Sequence, residues 1–285
     1  FLFRPFRRRS LEALMAQGEA GLARTRRIGL LGAAVADHPQ LEALVAWLQE
    51  RGAQVSISSL RLDALSDGLV AALVAGGGRT ITLAPEAGSE RLRRTIHKSI
   101  SDAQVLAAAE MMSRQRVPQV KLYFMVGLPT ETDEDIQGVV RLVQEIRARL
   151  PRARISLQLS PFVPKAGTPF QHWPMASPAL IAARQAVIAR ALRPLGIAAQ
   201  EESPGWSQVQ GVLARGDERL ARVLAQLGGR PTLAGWQRAL EDEGLDPGLY
   251  LRGEWPGGLP PWSIVDTGVS QSADDGLAQA AARVP

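Results

Sequence analysis

Two carboxylates stand where chain geometry can put them to chemical use. Glu86 follows Pro85 in ITLAPEAGSERLRRTIHK (residues 81–98), and Glu131 follows Gly127 and Pro129 in KLYFMVGLPTETDED (residues 121–135). Each segment opens as a short apolar strand, breaks at Pro or Gly, and presents its acid just before a helix. A carboxylate at Glu86 can hold an ammonium by a charge-assisted hydrogen bond. Ser89, as an N-cap, and the helix N–H groups beside it can take a carboxylate. Together they suit the amino-acid end of a zwitterion; a plain capping turn in which Glu86 pairs with Arg91 or Arg94 is the alternative. In the second turn Gly127 permits close backbone approach, and Glu131 or Thr130 can reach a ribose or a base edge. There the alternative is a strand–helix connection capped by Thr132.

Two further turns join them. SPFVPKAGTPF (residues 160–170) combines three prolines with two aromatics, so Pro161 and Phe162 offer a rigid, apolar shelf for a flat ring such as adenine. SISSLRLD ends a strand with Ser58, Ser59 and Arg61, and Arg61 can reach a carboxylate or phosphate. Four polar turns at the same end of successive strands mark the ligand-binding side of a parallel α/β sheet. The phosphate-binding patterns GxGxxG and GxxxxGK[ST] are absent. His38, His97 and His172 lack metal-ligand spacing and read as structural. Lys121 as a Schiff-base lysine is disfavoured by its place at the start of a strand. Arg215–Gly216–Asp217 falls inside an expected helix.

The elements that must position these turns alternate regularly. Strands are expected over 28–35, 54–60, 80–84, 120–126, 155–159 and 196–199, as near-continuous apolar runs suited to burial on both faces. Helices are expected over 41–51, 67–75, 90–98, 102–116, 133–150 and 178–195. Ser101 with Gln104 and Thr132 with Asp135 resemble capping boxes, and Ser177 precedes a proline at the first helical position. Strand–helix repeats imply right-handed crossovers; about six strands are too few for a complete eight-stranded barrel. A partial barrel over residues 1–200 is therefore expected. Residues 201–265 carry Trp206, Trp236, Trp255 and Trp262 and read as a mainly helical appendage, with helices over 206–227 and 233–243. Residues 266–285 read as a disordered tail.

Composition frames the rest. The 285 residues are 46% hydrophobic with a net charge of +5 and contain no cysteine, which excludes disulfides and thiolate metal sites within this chain. No stretch approaches the roughly 18 apolar residues of a membrane span, and a cytoplasmic protein without a membrane partner is expected. Arg4, Arg7, Arg8, Arg9, Arg24, Arg26 and Arg27 face only Glu12 and Glu19. Such a segment can touch RNA or nucleotide phosphates, act as a transit peptide, or form a solvated basic surface.

In order along the chain, GLLGAAVADHP, SISSLRLDALSD, LAPEAGSERLRRTIHK, VKLYFMVGLPTETDEDI and LSPFVPKAGTPFQHW resemble the radical SAM superfamily, in its methylthiotransferase-like and cobalamin-binding branch. The resemblance implies a partial (β/α)6 TIM-like barrel, here lacking its first strand. It also implies S-adenosyl-L-methionine bound on a 4Fe-4S cluster held by CxxxCxxC, and reductive cleavage to a 5′-deoxyadenosyl radical that abstracts a hydrogen, with methyl or sulfur transfer as a finer outcome. Carried over by position, Glu86 and Ser89 hold the methionine amino and carboxylate groups. Arg61 and Lys98 are second contacts to carboxylate or ribose, Gly127 and Glu131 border the nucleoside, and Pro161 with Phe162 borders the adenine. His97 stands where relatives often have Asn. The cluster cysteines are missing, which reads as an N-terminal truncation leaving an inactive SAM-binding core. The parent is then expected to need an electron donor such as flavodoxin or ferredoxin and to act on RNA or a small molecule, with cobalamin possible only through an upstream domain. The rival readings are a non-catalytic SAM- or RNA-binding module and a Schiff-base lyase.

Overall fold

Apolar runs and amphipathic segments become alternating strands and helices in a computed structural model, which describes residues 7–32, 35–57, 62, 65–229, 231–255 and 258–265. The strands are β1 (Arg27–Leu30), β2 (Gln54–Ile57), β3 (Thr80–Glu86), β4 (Gln119–Val126), β5 (Arg154–Pro161) and β6 (Ala198–Glu201). β1 pairs with β2, and β3 to β6 form a second ladder in chain order; every pairing is parallel. The return helices are α1 (Leu11–Leu22), α2 (Leu41–Glu50), α3 (Asp67–Ala75), α4 (Glu90–Thr95), α5 (Asp102–Arg114), α6 (Asp133–Arg149) and α7 (Pro178–Leu192). α1, α2, α3, α5, α6 and α7 each touch the next around the outside. The fold is α/β, a partial TIM-like barrel. The ladder is interrupted, however: among the described residues β2 and β3 share no pairing, and a cavity of about 310 Å³ lies between residues 54–57 and 76–82.

Local chemistry starts the helices where the sequence marks them. Ser89, Ser101 and Ser177 accept from the backbone N–H of Leu92, Gln104 and Leu180, and Thr132 forms a reciprocal box with Asp135. α4 stops at Thr95, three residues short of the expected end, because His97 turns left-handed at φ 55°. His is among the residues enriched in that region. α1 was not foreseen. It buries no residue completely, although Leu11, Leu14, Met15 and Leu22 pack on the core.

Burial also corrects the expectation of strands covered on both faces. β4 and β5 alternate strictly: Val120, Leu122, Phe124, Val126, Ile155, Leu157 and Leu159 join α5, α6 and α7 in one core. Each such side chain contributes on the order of 1.5–3 kcal/mol by leaving water. The intervening Lys121, Tyr123, Met125, Ser156, Gln158 and Ser160 stay half-buried on the opposite face. Lys121 lies with its Nζ 4.9 Å from the Tyr123 ring, near the start of β4 and away from the strand's carboxyl end.

The appendage consists of α8 (Pro204–Arg215), α9 (Leu220–Gln226), α10 (Leu233–Asp242) and α11 (Pro247–Arg252). The single helix expected over 206–227 is broken at Gly216, which is extended, and Asp217 accepts from the Arg219 N–H at 3.0 Å. The Arg-Gly-Asp triplet thus marks the break rather than a helix interior. Trp236 and Trp255 enter a separate core with Tyr250 and Val223, whereas Trp206 stays exposed. Trp255 stands edge-on to both His172 and Trp262. Residues 266–285, read from sequence as a tail, lie outside the described residues. No helix among the described residues is long and apolar enough to cross a membrane.

Candidate functional site

The carboxyl ends of β3, β4 and β5 bring three of the four sequence-marked turns together. Pro85 has no N–H to give the ladder, and pairing slips from Leu83–Leu122 to Glu86–Phe124 as a bulge. Glu86 then adopts φ 71°, a left-handed conformation rare for a residue with a side chain. Its carboxylate faces Lys98, with Oε1 2.8 Å from Nζ, and both side chains remain about a quarter exposed (25% and 30%). The alternative pairing with Arg91 or Arg94 does not form. Arg91 turns to Asp135 and Thr130, and Arg94 to Glu90 at 3.7 Å.

Behind Glu86 the turn is held rigidly. Ser89 accepts the Leu92 N–H at 3.1 Å and donates its hydroxyl to Asp135. A hydroxyl has one proton to give, so Ser89 as placed positions the turn instead of donating to a ligand. Asp135 is 3% exposed and gathers Ser89, Arg91 and both the N–H and hydroxyl of Thr132. Burial opposes its ionisation, yet those hydrogen bonds hold its carboxyl below the ordinary range. Arg93 is fully buried, donating to the carbonyls of Ala87 (2.9 Å) and Ile100 (2.6 Å) and to Asp102. Gly88 and Gly138 of α6 meet backbone to backbone: a Cβ on Gly138 would lie 2.5 Å from the Gly88 carbonyl oxygen.

The second turn closes on itself. Gly127, at φ 84°, donates its N–H to Glu131 at 2.7 Å, and Arg184 of α7 reaches the same carboxylate oxygen at 2.7 Å. Glu131 is only 2% exposed, so its carboxylate shapes the Gly127 turn from beneath and any contact with a nucleoside passes through backbone. Burial pushes the Glu131 carboxyl up to about 7, against the opposing pull of the Gly127 N–H and Arg184. A carboxyl raised in the fold favours folding fully below its unfolded value of 4.5, and that contribution is lost as pH rises through about 7. Thermal unfolding of the wild type should therefore show stability falling across this window. Glu131→Gln should flatten that fall, and an unchanged slope would reassign it to other groups.

The third turn supplies an apolar wall. Phe162 donates its N–H to the Val126 carbonyl at 2.8 Å, extending the β4–β5 ladder past Pro161. Its ring joins Met125 and Ile96 over Ala87, Leu92 and Leu128, and meets Phe170 edge-on at 5.8 Å. Glu86, the Gly127 turn and Phe162 thus stand at the carboxyl ends of three neighbouring strands. Arg61, Ser58 and Ser59 lie outside the described residues. Sequence reasoning missed Arg184, Arg93 and the pairing of Gly88 with Gly138. Only the last left a local signal, an isolated glycine inside a long helical pattern.

Comparison with known proteins identifies the family. The family model described as the radical SAM superfamily matches residues 2–143. An uncharacterised protein of Methanocaldococcus jannaschii is 36% identical over 227 residues, covering 78% of this chain and 49% of that protein. A tRNA-2-methylthio-N(6)-dimethylallyladenosine synthase of Protochlamydia amoebophila is 33% identical over 90 residues, covering 31% of this chain and 18% of that one. The chain thus spans about half the length, or less, of these curated relatives. Among solved structures, coproporphyrinogen III oxidase from Escherichia coli aligns with a TM-score of 0.47 and 13% identity over 65% of this chain and 46% of that one. The matched residues hold β1 to β4 and the Glu86 and Gly127 turns, and on that correspondence the chain belongs to the radical SAM superfamily.

Proposed function

We propose that this chain binds S-adenosylmethionine across the carboxyl ends of β3, β4 and β5, as part of a radical SAM enzyme. The observation that supports it best is the Glu86–Lys98 pair. A strained, partly exposed carboxylate at a strand end is met by a primary ammonium, the group that the methionine end of the ligand would present in its place. Glu86 then takes the ligand ammonium, and Lys98, released, turns to the ligand carboxylate or ribose. Arg61 is a second candidate for that carboxylate. The backbone around Gly127 borders the nucleoside, and Pro161 with Phe162 offers the apolar side of the adenine pocket. Ser89 and Glu131 act through these turns, one fixing the Glu86 bend and the other the Gly127 bend.

S-adenosylmethionine bound there would supply radical chemistry, its sulfonium accepting one electron from a donor outside this chain before a hydrogen atom is taken from a substrate. The chain's own residues do not fit the 4Fe-4S cluster that delivers the electron. No cysteine occurs in the sequence, and no group of His, Asp and Glu among the described residues can hold a metal. Methyl or sulfur transfer, an RNA or small-molecule substrate, and a flavodoxin- or ferredoxin-like donor belong to the same reading at a finer level. The tRNA modification in one relative's name supports the RNA option.

Glu86→Gln tests the assignment, since it keeps shape and removes the charge. SAM affinity, measured by equilibrium dialysis, should weaken by about 1–3 kcal/mol with the fold intact. Unchanged affinity would remove Glu86 from the site.

A further inference from the structure

The opposite end of the barrel carries a separate feature. Because the strands are parallel, all six begin on one rim: Arg27 pairs with Gln54, Thr80 with Gln119, and Gln119 with Arg154, while Gly77 lies against Gln54 across the gap. The helix-to-strand connections on that rim are residues 23–26, 51–53, 76–79, 115–118, 150–153 and 193–197. None contains Asp or Glu, and each contains arginine: Arg26, Arg51, Arg79, Arg116, Arg152 and Arg193. With Arg24, Arg27 and Arg154, nine exposed arginines line the rim. Arg51 meets Glu19 at 3.5 Å and stacks over Trp47 at 4.1 Å. Arg27, Arg79, Arg116, Arg152, Arg154 and Arg193 have no carboxylate partner among the described residues.

Arginine at helix ends has an ordinary explanation, complementing the helix dipole. Each of the six helices that end here contributes only about half a negative charge, roughly three in all. Nine guanidinium groups exceed that threefold, so a net positive rim remains. The residue is always arginine, whose planar fork matches phosphate bidentately, whereas lysine is a point charge. The rim has little to insert into a bilayer or to anchor a protein partner: Leu195 is the one exposed large hydrophobic in these connections. A cavity of about 250 Å³ between residues 113–118 and 150–153 adds a recess flanked by Arg116 and Arg152.

We propose that this amino-terminal rim docks a single-stranded nucleic acid through its phosphate backbone. A duplex is stiff over about 150 base pairs and would touch one side of a curved rim, while a flexible strand follows the curve from connection to connection. The surface is distinct from the SAM site at the strands' other ends and does not depend on it.

The test is fluorescence anisotropy of a labelled single-stranded oligoribonucleotide against the full chain over a salt series. Affinity should fall linearly on a log–log plot. Changing Arg79, Arg116, Arg152 and Arg154 together to Gln should lower the slope by about 3, at about 0.7 per lost phosphate contact, and weaken binding at least tenfold. Changing Arg141, Arg222, Arg238 and Arg252 to Gln removes the same charge elsewhere and should leave the slope nearly intact. A DNA strand of the same sequence should bind within a few fold. Equal losses in both variants, absence of salt-dependent binding, strong preference for duplex, or capture by anionic vesicles with RNA ignored would each overturn the proposal.

Discussion

Gly88→Ala should lower the melting temperature by about 5 °C or more, because overpacking of this kind costs about 1–3 kcal/mol or more and each kcal/mol moves a domain of this size by about 2–4 °C. The added methyl would fall on the Asp135 carbonyl and Val139 amide and lie 2.8 Å from the Gly138 carbonyl carbon. All are backbone atoms of α6, which cannot swing aside as a flexible side chain would. Relief requires the β3–α4 turn to move off α6, and that turn carries Glu86. SAM binding should therefore be lost along with stability. Gly138→Ala should behave alike, although alanine is worth about 1 kcal/mol more than glycine inside a helix. Gly228→Ala, with nothing within 4 Å, should leave both readouts unchanged. Calorimetry and dialysis on the three variants check this, and a Gly138→Ala protein as stable as wild type would refute the close approach.

Arg215→Ala should cost about 3 kcal/mol or more, since each buried acceptor left without a donor costs about 1–3 kcal/mol. The side chain is fully buried, and among the described residues no carboxylate pairs with it. Its guanidinium donates to the carbonyls of Trp173 (2.7 Å), Leu251 (2.8 Å) and Gln171 (3.3 Å), pinning α8 to both the β5–α7 connection and α11. Burial alone draws its pKa down to about 10, which still leaves it charged at neutral pH. Arg215→Lys should recover only part of the loss, because one ammonium cannot reproduce a fork aimed at three carbonyls. Arg222→Ala, on a side chain 81% exposed, should stay within about 0.5 kcal/mol. Urea unfolding followed by tryptophan fluorescence reads the difference directly, since Trp255 donates to the Arg215 carbonyl at 3.0 Å.

What could be read from residues alone follows from which interactions are local. Capping boxes, proline at a helix start and strand-ending turns are local, and Ser101, Thr132 and Ser177 stand where their neighbours said they would. The alternation along β4 was obscured because half-buried Tyr123 and Met125 look as apolar as core residues, whereas in β5 Ser156 and Gln158 leave it visible. The pairing of Glu86 with Lys98 was hidden for a related reason. Helical spacing offered Arg91 and Arg94, but early termination at His97 folded Lys98 back instead. Asp135 was legible as a cap, yet its hold on Ser89 spans 46 residues and depends on α6 lying against the β3–α4 turn. Arg184 reaches Glu131 across 53 residues, beyond any sequence pattern. Three chemically apt turns at one end of the sheet could be inferred; which side chains in them brace the backbone required the packing.

The most direct measurement of the central claim is amide hydrogen exchange of the chain with and without S-adenosylmethionine. Slowed exchange should appear in residues 86–92, in 127–131 and at Phe162, with the arginine-bearing connections at the far rim unchanged. No protection at a saturating ligand concentration, or protection confined to other segments, would contradict a SAM site at the carboxyl ends of β3, β4 and β5.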